Sequence, residues 1–473
     1  MAPEPDLEAL RARVRPFEEA ELALVRSIVS LPPWLSEGDE ASVRYALNLA
    51  RLTLLRGPDG DLEVEEPLAP FRHEVEALAL PPLARAEGVD RGAVVSLVPE
   101  LATRAREARR ALLRAFGSRL SPEALDREVC EKALVLVCGG GGGVAYVYLG
   151  GFALLDQFGL TPRLLAGTSM GAVLQLFRAR RLRYQGEEIT DVLRGLSFRG
   201  LFRFLHTESR YGLPATMHLH LRQGIGRFVE APDGRPLRLD ELAIPLLVTV
   251  TGIRNGALPR DPSYYEHLLD LHGRLPSPNV IKRMVAEMVG AISELFQQRD
   301  RFARIYLGAD PETRAFDAVD AVGFSSALPG VIHYDVLRDD QPMHAMLQAL
   351  FQRHDLFRLV DGGLVDNLPA RAAWGVVQRG ALGTRNAFVL AFDGFSPKLS
   401  QPLWFGLEQL AAQSVARNRP FIHLSRSFQR VLSPVELLPG MEALQRAIQA
   451  GKEELLPDMP LVARICRPFR PLA

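Results

Sequence analysis

Three short stretches of this sequence carry residue types that together could perform acyl transfer. The first is a run of five glycines, Gly139 to Gly143. The second is GTSMG, with Ser169 between Gly167 and Gly171, and the third is an Asp-Gly-Gly that opens at Asp361. A serine hydroxyl is a weak nucleophile until a base takes its proton. A carboxylate within hydrogen-bond reach can take that proton and return it to a leaving alcohol. Backbone N–H groups unshielded by side chains can hold the negative charge that develops on a carbonyl oxygen. On this reading Ser169 is the nucleophile and Asp361 the base. Gly140, Gly141, Gly142 and Gly143 form the oxyanion hole, and Gly167 and Gly171 leave room for a tight strand-to-helix elbow.

The same residues fit other chemistries less well. A Walker A loop ends in Gly-Lys-Ser/Thr, whereas this run continues as VAYVYLGG, so that reading fails. A dinucleotide fingerprint can be forced as Gly140-x-Gly142-x-x-Ala145, but the next apolar run, RLLAGTS, ends without the acidic residue a ribose needs. A Ser169, Asp393, His423 set has the order of an α/β-hydrolase triad, yet no local motif supports it. Asp366, five residues beyond Asp361, is the rival base; the glycine pair directly after Asp361 favours Asp361. His218 and His220 stand two apart with no third metal ligand near them, and His333 reads as packing.

Each motif needs an element to hold it. ALVLV from Ala133, RLLAGTS from Arg163, PLLVTVT from Pro245, FRLVDGG from Phe357 and AFVLAFD from Ala387 are short apolar runs. Such runs suit strands of a parallel sheet covered on both faces. Helical patterns lie between them, so residues 129–396 read as an α/β domain. Residues 1–128 read as helical: ASVRYALNLARLTLLRG predicts a helix stopping at Gly57-Pro58, and LATRAREARRALLRAFG one ending at Gly117. Residues 397–473 read as a C-terminal helical extension.

Taken in order, these motifs resemble the patatin-like phospholipase family: a glycine-rich loop after the first strand, G-x-S-x-G, then D-G-[GA] in DGGLVDNLP. GFALLDQFGL is similar to the helix that follows the family's loop, and SSALPG (Ser325 to Gly330) to its segment before the aspartate. The resemblance covers residues 131–396. It implies a three-layer α/β/α sandwich and a Ser169–Asp361 dyad acting on acyl esters of lipids, with no histidine, metal or cofactor. One departure stands out. The family loop reads G-G-G-x-R-G, but Val144 occupies the arginine position and Ala145 the last glycine. Two alternatives therefore stay open: a Ser-His-Asp esterase using His423, and a catalytically weak lipid-binding or scaffolding protein.

Composition narrows the partners. The 473 residues are 47% hydrophobic and 24% charged, with 56 basic and 56 acidic side chains. A net charge of zero supplies no long-range field for nucleic acid, so none is expected as a partner. Three cysteines do not make a disulfide framework. No signal peptide and no run of about 18 apolar residues is visible, so no transmembrane span is expected. The expected partner is a lipid substrate at a membrane or micelle surface, with the oligomeric state open. The expected location is cytoplasmic and peripheral to membranes, with non-classical export left open. The apolar stripe of Ile281 to Phe296 reads as a helix packed on the core or a cap over the lipid site.

Overall fold

The structure is a computed structural model and describes residues 6–30, 32–204, 210–257, 301–336, 340–394 and 414–472. The stripe 281–296 lies outside the described residues. In the N-terminal region Asp6 caps a helix over Leu7–Val29, and Ser36 caps a second over Glu37–Ala50. That second helix ends well before the stop expected at Gly57-Pro58. The chain instead forms a hairpin of β1 (Leu54–Gly57) and β2 (Gly60–Glu63), closed by Pro58 and Asp59. Proline presets the turn's first position, and pairing buries Leu55 opposite Leu62. The same leucines also satisfy a helical period, which is why the pattern misled. The helix Arg91–Phe116 ends at Gly117 as expected, where φ is 52°.

Among the described residues ten further strands follow: β3 (Ala133–Cys138), β4 (Leu164–Thr168), β5 (Phe202–Phe204), β6 (Ala215–Leu219), β7 (Leu246–Arg254), β8 (Phe302–Leu307), β9 (Gly330–His333), β10 (Leu356–Asp361), β11 (Ala387–Asp393) and β12 (Leu424–Ser427). In the main sheet β12, β11, β3, β4 and β7 lie side by side and parallel. β8 and β10 both pair antiparallel with β7. The sheet is therefore mixed, and β10 corrects the expectation that FRLVDGG lies parallel to its neighbours.

The register has a consequence for the site. β8 spans Val248–Ile253 of β7, which overlaps both other partners. β4 pairs with Leu246–Thr249 and β10 with Val250–Arg254. A strand has two edges, so β4 and β10 must share one of them. They run towards each other along it and meet where Thr249 gives way to Val250.

Both faces of the sheet are covered, as a run without a polar side requires. Helices Tyr148–Gln157, Met170–Ala179, Ala318–Ser325 and Met441–Leu455 share one core cluster with one face. Helix Ala370–Gln378 covers the other, with Trp374 packed 5.4 Å from Phe421. The result is a three-layer α/β/α sandwich with helical extensions. β5, β6 and β9 form a small second sheet that the sequence did not announce.

A buried ionic network ties the N-terminal helices to the sheet. Lys132, just before β3, reaches Glu21 at 2.9 Å, Asn48 at 3.1 Å and Asn386 at 2.7 Å. Glu21 also takes Arg44 at 2.9 Å. Lys132 and Asn386 precede the parallel strands β3 and β11, so this network lies at the opposite end of the sheet from the residue that follows β4, Ser169.

Candidate active site

Ser169 follows β4 directly and caps the helix Met170–Ala179. Its backbone sits at φ 53° and ψ −132°, a conformation rare for a residue with a side chain. Such strain persists only where the surroundings over-determine it. Here the Ser169 N–H donates to Ser325 Oγ at 2.8 Å, and Ser325 Oγ donates in turn to Thr249 O at 2.6 Å. Ser325 is fully buried, so one hydroxyl pins the elbow to β7. The two elbow glycines are tight. A Cβ on Gly171 would lie 2.4 Å from Gly139 O, and one on Gly167 2.5 Å from Gln175 Oε1.

Asp361 ends β10 and so arrives beside Ser169 from the opposite direction. Its carboxylate accepts a hydrogen bond from the Gly363 N–H at 2.7 Å, and the Ser169 hydroxyl is near enough to pull its titration down. Burial pushes the carboxyl up to about 6, against the opposing pull of Ser169 and the Gly363 N–H. A carboxyl titrating near neutrality holds a proton well enough to deliver it and loses it readily enough to act as a base.

The rival acids and bases are placed elsewhere. Asp366 accepts from Ser414 Oγ at 2.9 Å, Asn418 Nδ2 at 2.7 Å and the Tyr306 hydroxyl at 2.7 Å. Both its oxygens are thus committed to a buried structural network. His423 accepts from the Val389 N–H at 2.9 Å through Nδ1 and pairs with Glu18 at 2.9 Å through Nε2. Through the ladder of β11 and β3, Val389 stands level with Leu164, the first residue of β4. Ser169 lies five residues further on, about 16 Å along the strand. The structure therefore does not bring Ser169, Asp393 and His423 together as a triad.

Burial pushes His423 down despite Glu18, so it sits there as a neutral structural imidazole. Burial alone would raise Glu18, but Arg11, His423 and Lys132 outweigh it and hold that carboxyl well below the usual range. Replacing His423 by alanine is expected to leave ester turnover within a few-fold. It should lower stability by about 2–3 kcal/mol, because a cavity opens and the Val389 N–H loses its acceptor. A urea melt beside a turnover assay checks both halves.

The glycine run divides into separate jobs. The Gly140 N–H donates to Asn367 Oδ1 at 3.0 Å and the Gly143 N–H to Pro434 O at 3.1 Å. Both donors are committed, which corrects the expectation that all four glycines, Gly140 to Gly143, offer theirs. Among the described residues, the N–H groups of Gly141 and Gly142 have no protein acceptor. Gly143 must be bare for a reason unrelated to chemistry. A Cβ there would lie 2.3 Å from Ser433 O and 2.6 Å from Glu436 O, because the C-terminal segment Ser433–Leu437 lies on the loop. The Tyr146 hydroxyl fastens that segment through Leu437 O at 2.6 Å. Val144, at the family's arginine position, is buried, and its N–H donates to Gly141 O at 3.2 Å.

Ser325 and Asn367 were not singled out from the sequence. Both lie inside the motif segments SSALPG and DGGLVDNLP, but only the pairing of distant segments shows what they hold. His218, His220 and His333 come together in the small sheet, with ring centroids 4.4 Å and 4.7 Å apart. Among the described residues no group of three or more His, Cys, Asp or Glu could hold a metal ion.

An α/β/α sandwich with a strained serine on a strand-to-helix elbow and a buried carboxyl facing it places the chain among proteins built for acyl chemistry. A family model, patatin-like phospholipase, matches residues 136–374, just over half of the chain. The chain belongs to the patatin-like phospholipase family. That membership supports lipid acyl hydrolysis as its general activity, with a lipid as substrate. No curated protein matches the chain.

Proposed function

We propose that this protein hydrolyses acyl esters of phospholipids or other lipids with a Ser169–Asp361 dyad, through an acyl-enzyme. The observation that carries the reading is the register of β4 and β10 on β7, which sets the buried Asp361 carboxyl against Ser169 at a strained elbow. Residues 129–396 act as the hydrolase domain, flanked by residues 1–128 and 397–473.

Asp361 takes the Ser169 proton as Oγ bonds to the ester carbonyl carbon. The negative charge moves to the carbonyl oxygen, and the Gly141 and Gly142 N–H groups hold it. Collapse breaks the bond to the alcohol oxygen, and Asp361 gives its proton to that leaving group. Water then attacks the acyl-enzyme while Asp361 takes one of its protons. That proton returns to Ser169 as the fatty acid leaves. The substrate is met at a membrane or micelle surface; among the described residues no helix is long and apolar enough to cross a bilayer.

The test is burst-phase hydrolysis of a chromogenic acyl ester presented with phospholipid vesicles. A burst matching the enzyme concentration, absent in Ser169→Ala, supports the acyl-enzyme. Vesicle binding without turnover would replace this reading with a lipid-binding scaffold.

A further inference from the structure

Asn367 lies beside the glycine loop and the turn that follows the base. Its Oδ1 accepts the Gly140 N–H at 3.0 Å. A Cβ on Gly140 would lie 2.9 Å from that oxygen and 2.9 Å from Ser169 Cβ. A Cβ on Gly363 would lie 3.0 Å from Asp361 Oδ1 and 3.2 Å from the same Asn367 oxygen. The amide therefore sits between the first turn of the loop and the carboxylate. Its backbone is anchored too. The Asn367 N–H donates to Ser414 Oγ at 2.9 Å, and the preceding carbonyl, Asp366 O, accepts from Thr168 Oγ1 at 3.0 Å, one residue before the nucleophile.

The residue type is informative. Asn367 is 4% exposed, and its Nδ2 is buried without an acceptor among the described residues. A buried donor left unpaired is destabilising and calls for an explanation. Aspartate would accept the Gly140 N–H more strongly and leave no donor stranded. It would also place a second carboxylate beside Asp361, and two such groups cannot both ionise cheaply. Asparagine is the side chain of this length that accepts the N–H and stays neutral. The stranded Nδ2 is the consequence of that neutrality.

We propose that Asn367 is a positioning residue that locks the glycine loop to the Asp361 turn. It holds the Gly140 N–H aside so that the next donors in the loop face the acyl oxygen, and it does so without a charge that would disturb the base. This inference rests on the dyad reading above.

The test uses the full chain with Asn367→Ala, its isostere Asn367→Asp, and Asp361→Asn as the control. Turnover, KM and the pH dependence of kcat/KM are measured on vesicle-presented ester, with near-ultraviolet circular dichroism confirming the fold. Asn367→Ala is expected to lower kcat on the order of 10²-fold, as a misplaced catalytic group does, with KM changed less than about threefold. Asn367→Asp keeps the acceptor, so it should recover most of the turnover above pH 8. Its acid limb should move up by about one pH unit, because the two carboxyls then titrate as a pair. A kcat within twofold of wild type in Asn367→Ala would overturn the proposal, and so would an unmoved acid limb in Asn367→Asp. If Asp361→Asn itself retains wild-type turnover, the dyad reading has failed, and the role of Asn367 falls with it.

Discussion

Replacing Ser169 by glycine is expected to abolish ester turnover and at the same time to stabilise the protein. Loss of the nucleophile should lower kcat by on the order of 10⁴- to 10⁶-fold, leaving what binding and the loop donors supply alone. The stability gain comes from the backbone. Serine at φ 53° and ψ −132° is held in a region costing of order 1–3 kcal/mol, and glycine adopts it freely. Glycine also loses more conformational freedom on folding, which offsets about 0.5–1 kcal/mol of that gain. Ser169→Ala keeps the Cβ and therefore the strain. The two variants should be equally inactive, with glycine more stable than alanine by about 1 kcal/mol. Paired urea melts and burst assays decide it. Equal melting points would show that the elbow is not strained, and residual burst in either variant would place the nucleophile elsewhere.

The second large effect concerns Asp361. Turnover should fall as pH drops below about 6, where the base becomes protonated. Asp361→Asn should lose turnover across the whole range. The stability effect has the opposite sense. The folded carboxyl titrates near 6 and the unfolded one near 3.8, so folding favours the protonated form. Its contribution is fully present below pH 3.8 and is lost as pH rises through 6. The interval is a little over two pH units at about 1.4 kcal/mol each, so ionised Asp361 burdens the fold by on the order of 3 kcal/mol at pH 8. Asparagine removes that burden. Asp361→Asn should therefore be more stable than wild type at pH 8, with the difference gone by pH 4. Denaturant melts at the two pH values measure it. A variant less stable at pH 8 would show that the carboxyl is not held up by burial.

These effects share one cause. The fold accepts strain at Ser169 and a buried carboxyl at Asp361, and the surroundings that impose both are dispersed through the chain. Ser325 reaches the elbow from the helix Ala318–Ser325, and β7 supplies the carbonyl that Ser325 holds. The segment Ser433–Leu437 secures the far side of the glycine loop. The residues read as a C-terminal helical extension thus also supply β12, a strand of the main sheet, and a segment lying on the glycine loop.

Much of the site was legible because its constraints are local. A tight elbow demands small residues at Gly167 and Gly171, and a serine there stands out. A bare loop must be written in glycine, and a turn after the base in Gly362 and Gly363. Apolar runs without a polar side identified the sheet, since only a strand covered on both faces tolerates them. What was missing beside the glycine run also argued against the nucleotide-binding loops.

Strand direction is invisible in such runs, because a buried strand has the same composition whichever way it points. Only the folded chain sets β10 against β4 on one edge of β7, so that Ser169 and Asp361 meet head-on. Nor does a glycine announce why it is bare: Gly143 yields to the C-terminal segment, while Gly140 yields to Ser169 and Asn367. His423 had the right type and order for a triad and lies at the wrong end of the sheet, bound to Glu18. The sequence by itself determined which residues could do the chemistry, because local backbone geometry restricts residue type. Which of them face each other was decided by the tertiary structure, because pairings between distant segments leave no periodic mark on the chain.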